Sequence, residues 1–170
     1  MPVSFRSMRA EDKELFANFL RLLPRKDNYY LLVDVRNDQT IQRWMDKIES
    51  GQTIGVVALE GGQMVGYCNL RTNDLPWIRH VGEIRMSVGA AHRGKGLGRI
   101  LAGKIFSIAR ERGLQKLWVR MAISQEASQV VFQNLGFRSE AILSDFVKNE
   151  NGLTEDLVIM SHDSGEHWSF

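Results

Sequence analysis

A strand that runs into a glycine-rich turn and then into an apolar-periodic helix constrains this chain more than any other stretch. It reads Met86-Ser87-Val88-Gly89-Ala90-Ala91-His92-Arg93-Gly94-Lys95-Gly96-Leu97-Gly98-Arg99. Gly94, Gly96 and Gly98 let the backbone turn tightly and bring its N–H groups against an anion with no Cβ in the way. The helix that follows adds unpaired N–H donors and the positive end of its dipole. Arg93, Lys95 and Arg99 add full positive charge. This is a local design for holding a pyrophosphate.

Spacing narrows the ligand. A dinucleotide fingerprint needs G-x-G-x-x-G and an acidic residue about 20 positions on. Here the glycines read G-x-G-x-G, and the next strand, Leu117-Trp118-Val119-Arg120, carries no acid. From Gly98 to Lys104 the chain satisfies G-x-x-x-x-G-K, but Ile105 stands where a triphosphatase needs a hydroxyl for magnesium. The same residues continue an apolar stripe of Leu97, Ile100, Leu101, Ile105 and Ile108, so the second match is a helix face.

The rest of the chain reads as one domain of 170 residues with 44% apolar and 25% charged residues, typical of a soluble globular protein. Val3–Met8 alternates as a strand, Ala10–Leu23 has a helical apolar face ended by Pro24, and Gln39–Glu49 forms a second helix. Thr53–Leu59 and Met64–Arg71 pair around Glu60-Gly61-Gly62-Gln63. Residues 72–80 form a loop, and Val81–Val88 is the strand that feeds the glycine turn. Helix Gly96–Arg112, strand Lys116–Met121, helix Gln125–Leu135 and strands Ser139–Val147 and Thr154–Ser161 complete the order β-α-α-β-β-β-α-β-α-β-β. This predicts an α/β fold with a mixed sheet covered on both faces. No run reaches the roughly 20 apolar residues of a membrane span and the N-terminus lacks a signal-peptide core, so no membrane partner and a cytoplasmic location are expected. A net charge of +2 makes no case for nucleic acid. Cys68 is the only cysteine, and His80, His92, His162 and His167 are scattered singly, so no metal site is expected.

With Arg93, Gly96 and Gly98 at the three fixed positions of [Gln or Arg]-x-x-Gly-x-[Gly or Ala], just after a strand ending in Val88, the chain resembles the GNAT superfamily of N-acetyltransferases. The resemblance runs from Val3 to about Asp163, leaving 164–170 as a short tail. It implies the GNAT acyl-CoA N-acyltransferase fold and acetyl-CoA as acyl donor. It also implies that backbone groups of Met86, Ser87 and Val88 pair with the pantetheine arm, and that Arg93, Gly94, Lys95, Gly96, Leu97, Gly98 and Arg99 bind the pyrophosphate. Downstream the family carries N-x-x-A-x-x-x-Y-x-x-x-G-F, placing Gln125 and Phe132 beside the cofactor. Here Gln125 replaces Asn, Ser128 replaces Ala and Phe132 replaces Tyr, while Gly136-Phe137 matches. Phe132 has no proton to give to a leaving thiolate. Tyr67, Tyr29, Tyr30 and Ser124 are the candidates to replace it, and Cys68 is a conceivable nucleophile.

Acyl transfer to an amine needs the neutral nucleophile, yet a lysine-like amine is only about one part in 10³ neutral at pH 7. A positioned base is therefore useful. Glu83 lies in the middle of a strand that would ordinarily be apolar if covered on both faces. Several branches of the superfamily likewise carry Glu five residues before the strand's last valine. Glu83 is the candidate base, with a structural ion pair to Arg85, two residues on and on the same face, as the competing role. Segments 24–38 and 72–80, with Trp77 and Pro76, are expected to shape the site of an amine-bearing acceptor, a small molecule or protein. The alternative function is a non-catalytic acyl-CoA-binding sensor or interaction module on the same fold. A homodimer is left open, with Trp168 and Phe170 as its contact.

Overall fold

The computed structural model describes residues 2–31 and 36–164. Seven strands form one sheet in the order β1-β2-β3-β4-β5-β7-β6. They are β1 (Ser4–Ser7), β2 (Thr53–Glu60), β3 (Gln63–Arg71), β4 (Val81–Val88), β5 (Lys116–Ala122), β6 (Arg138–Lys148) and β7 (Thr154–Asp163). Every neighbouring pair is antiparallel except β4 and β5, which are parallel. Five helices complete the described residues: α1 (Lys13–Leu22), α2 (Arg25–Tyr29), α3 (Asp38–Glu49), α4 (Leu97–Glu111) and α5 (Glu126–Asn134).

The alternation of side chains across the sheet divides the core in two. On one face Phe16, Phe19 and Leu20 of α1 and Ile41 and Met45 of α3 close over Val57 and Tyr67. On the other, Leu101, Ile105 and Phe106 of α4 and Phe132 of α5 bury Val56, Cys68, Leu70, Ile84, Leu117 and Met160. The mixed sheet with helices on both faces is the one the element order predicts.

Two details differ from the expected elements, and both have local causes. The helix expected over 10–23 begins as a 3-10 turn at Ala10–Asp12, because the Asp12 carboxylate is taken by Arg6 and by the Arg9 N–H. The polar segment after Pro24, to which the sequence assigns no element, contains α2, a five-residue helix with no buried residue and hence no apolar period to betray it. Leu23 is extended, as a residue before proline must be, which separates α1 from α2. Within segment 24–38, Asp34 lies outside the described residues, as do Trp168 and Phe170 and any contact they make.

Candidate active site

The site begins where two strands part. β4 pairs with β5 only over Val81–Glu83 against Lys116–Trp118, and beyond Glu83 the ladder stops. On its other side β4 is paired with β3 from Glu83 to Val88. The Gly89 N–H donates to the Val65 carbonyl at 2.9 Å, continuing that register. In an antiparallel ladder alternate residues turn their backbone groups to one neighbour. Glu83, Arg85 and Ser87 therefore bond toward β3, while Ile84, Met86 and Val88 turn theirs toward the gap left by β5. Among the expected Met86–Val88 group, Met86 and Val88 offer backbone groups to a ligand in the gap, and Ser87 does not.

The gap ends at the glycine turn. Gly94 and Gly96 have φ of 71° and 79°, the left-handed region that a Cβ disfavours. Gly96 caps α4 without any side-chain acceptor, so the first N–H groups of the helix point outward unclaimed by a cap. Gly98 differs: a Cβ there would meet Met86 Cε at 3.4 Å, an ordinary contact, so neither crowding nor a left-handed φ demands a glycine at this position. Leu97 is buried and pins the first turn of α4 to the core, while Lys95 and Arg99 are exposed beside the turn. Arg93 reaches back, its Nε donating to the Val88 carbonyl at 2.9 Å and its Nη2 to Asp27 Oδ2 at 2.5 Å.

At the point where the strands diverge stands Glu83, 8% exposed. Its Oε1 accepts from Nη2 of Arg85 and, at 3.1 Å, from Nε of Arg120. Arg71 lies directly opposite Glu83 in the β3 ladder. Burial lowers the Arg85 guanidinium below its ordinary value, opposed by the charge of Glu83 and reinforced by that of Arg120. The ion pair with Arg85 thus exists, and the same carboxylate stands where the β4–β5 ladder ends. Arg120 was not among the residues singled out from the sequence. The alternation of Lys116, Trp118 and Arg120 marks one face of β5, but only the parallel register with β4 brings that face to Glu83.

A second polar cluster lies beyond the end of β5. Ser124 Oγ donates to Glu155 Oε2 at 2.6 Å, and Asn149 Nδ2 to Oε1 at 2.9 Å. The Tyr30 hydroxyl lies 3.2 Å from Ser124 Oγ and 3.4 Å from Glu155 Oε2. Hydrogen bonds from Ser124, then Asn149, hold the Glu155 carboxyl below its usual range. Two of the hydroxyls considered as proton donors are therefore together, and Tyr29 stacks edge-on against Tyr30 with ring centroids 5.4 Å apart. Tyr67 is elsewhere, 1% exposed among Phe16, Phe19 and Trp44, its phenol pushed up by burial. Cys68 is fully buried and its thiol is likewise pushed up, which makes it packing rather than a nucleophile. Gln125 Oε1 accepts from the Ala122 N–H at 2.9 Å, fastening the turn into α5. Phe132 is 6% exposed with its ring edge-on to Phe137 at 5.1 Å. Among the described residues no three His, Cys, Asp or Glu side chains are grouped to hold a metal. No described helix is long and apolar enough to cross a membrane.

Comparison with known proteins shows the family of the chain. The profile of the Acetyltransferase (GNAT) family matches residues 16–137, most of the chain, so the chain belongs to that family. It is 23% identical over 103 residues to the [ribosomal protein bS18]-alanine N-acetyltransferase of Haemophilus influenzae, covering 61% of this chain and 67% of that one. It is 29% identical over 107 residues to the L-amino acid N-acyltransferase MnaT of Escherichia coli K12, covering 59% and 62% respectively. The chain spans about two thirds or less of the length of the curated relatives it matches. Among solved structures, YncA from Salmonella typhimurium, determined with its cofactor acetyl-CoA, superposes with a TM-score of 0.77. It is 21% identical, and the match covers 98% of this chain and 96% of that one.

Proposed function

We propose that the chain transfers an acetyl group from acetyl-CoA to a primary amine. The observation that carries this reading is the parting of β4 from β5 immediately beyond Glu83, with a glycine turn and helix N-terminus at the far end of the gap. The residues fit the cofactor: Met86 has backbone groups for an amide-bearing arm, Val88 keeps its N–H while its carbonyl accepts from Arg93, and the turn from Arg93 to Arg99 has N–H donors and cations for a pyrophosphate. Acetyl-CoA supplies a thioester, an activated acyl group with a good leaving thiolate.

The side chains supply the rest. Glu83 takes the amine proton, through water, as the N–C bond forms and the C–S bond breaks. The Val88 N–H faces the gap and is the donor available to the carbonyl oxygen as charge builds on it. Tyr30 and Ser124, which share a hydrogen bond, are the hydroxyls we assign to protonate the departing thiolate, since Phe132 has none. We place the reaction in the cytoplasm, in keeping with a single cysteine held as a buried free thiol.

Release of CoA thiol from acetyl-CoA over a panel of amines tests the reading. Turnover that Glu83→Gln removes, while acetyl-CoA still binds, supports it. Tight acetyl-CoA binding with no turnover on any amine would instead make the chain a sensor of the acyl-CoA, a reading that the absence of a hydroxyl at Phe132 favours. Gly96→Asp sets a carboxylate in the turn, and unchanged acetyl-CoA affinity in that variant would overturn the cofactor assignment for both.

A further inference from the structure

We infer that the acceptor carries a carboxylate on the carbon next to its amine, as a free α-amino acid does, and that Arg120 is the residue that recognises it. This rests on the acetyl-transfer reading and specifies the acceptor of the same site.

The argument starts from charge. Two guanidinium groups, of Arg85 and Arg120, bond to the single carboxylate of Glu83. Both hydrogen bonds fall on one oxygen, Oε1, and Arg120 uses only its Nε. Among the described residues its two Nη groups donate to no protein acceptor. Among the described residues Glu83 is the one carboxylate that Arg120 bonds. Two positive charges thus meet one negative charge, and the Arg120 side chain, 38% exposed against 21% for Arg85, is the one an anion from solvent can reach.

Geometry then selects the anion. A guanidinium presents parallel N–H groups that match the two oxygens of a carboxylate. The Trp118 ring, 5.6 Å from Arg120 Cζ on the same face of β5, holds the guanidinium in place while its Nη edge stays open. Base and fork are adjacent, with Nε of Arg120 3.1 Å from the oxygen of Glu83. An acceptor that serves both must carry its amine and its anion equally close together. In an α-amino acid the two share one carbon. A peptide N-terminus would offer Arg120 an uncharged carbonyl, and a plain alkylamine would offer it nothing.

The test uses the full chain with acetyl-CoA and measures CoA release for each of the common L-amino acids, its carboxamide and the corresponding decarboxylated amine. The free acid of the preferred side chain should exceed its carboxamide in kcat/KM by at least about tenfold, as loss of a charge-assisted bidentate contact implies. In Arg120→Gln that ratio should fall below about threefold, with Arg120→Lys between. The ratio is informative because both substrates use Glu83, so any general disturbance of the base cancels. Equal rates for acid and carboxamide, a preference that survives in Arg120→Gln, or turnover confined to amines without a carboxylate would each overturn the inference and leave acetyl transfer standing. No CoA release from any amine would overturn acetyl transfer itself.

Discussion

Arg93 and Asp27 form an ion pair, Nη2 to Oδ2 at 2.5 Å, that joins the glycine turn to α2 across the end of the gap. The arginine expected at the pyrophosphate is thereby held by a carboxylate, with its Nε on the Val88 carbonyl. An anion arriving at the turn competes with Asp27 for Arg93 and is repelled by the same carboxylate. Asp27→Asn should therefore tighten acetyl-CoA binding by roughly 1.5- to 5-fold, the range of a partly exposed ion pair worth about 0.2–1 kcal/mol. Titration calorimetry with acetyl-CoA reads this directly, and equal or weaker binding would show that Arg93 does not change partners.

Glu83→Gln keeps an amide oxygen for Arg85 and Arg120 but cannot take a proton. The turnover rate should fall by about 10²- to 10⁴-fold, the usual contribution of a positioned base. Acetyl-CoA affinity should stay within about twofold, because Glu83 lies at the opposite end of the gap from the glycine turn. Steady-state kinetics beside a binding titration separates the two quantities. A variant that keeps its rate would assign Glu83 to the ion pair alone.

The parts of this site that were legible in the sequence are the ones built from neighbours. Gly94 and Gly96 announce a left-handed turn, and Glu83 and Arg85 share a face because a strand repeats every two residues. Arg120 lies 37 positions from Glu83, and only the parallel register of β4 with β5 joins them. Tyr30 meets Ser124 and Glu155 across 94 and 125 positions, through α2, which has no apolar period to read. The sheet followed from alternation and turn chemistry, whereas the polar contacts between its strands depend on tertiary register that no local pattern encodes.

Gly82 is the middle position of the short β4–β5 ladder, just before Glu83, and its lack of a side chain is structural. A Cβ there would lie 2.5 Å from Leu70 Cδ1, 2.9 Å from Leu114 Cδ1 and 3.1 Å from Leu117 Cδ2, all in buried leucines. Gly82→Ala should cost about 1–3 kcal/mol through overpacking. Urea unfolding followed by circular dichroism measures it, and a variant as stable as the parent would mean the leucines yield without cost.

Asp12 gives a pH signature in the stability of the fold, far from the chemistry. Its carboxylate accepts from Arg6 Nη1 and Nη2 at 2.7 and 2.6 Å and from the Arg9 N–H at 2.8 Å. The side-chain bonds from Arg6 are the main cause that holds this carboxyl below its usual value, against the opposing effect of burial. A group depressed in the folded state stabilises fully above its unfolded value, near 4, and loses that contribution as pH falls through the folded value. Asp12→Asn should therefore cost about 2 kcal/mol at pH 7, modest for a buried pair because Arg6, a third exposed, can rehydrate. The difference between parent and variant should shrink below about pH 4 and close once Asp12 is protonated. Chemical unfolding of both proteins from pH 7 to pH 3 follows it, and a difference that stays constant over that range would deny the ion pair its role.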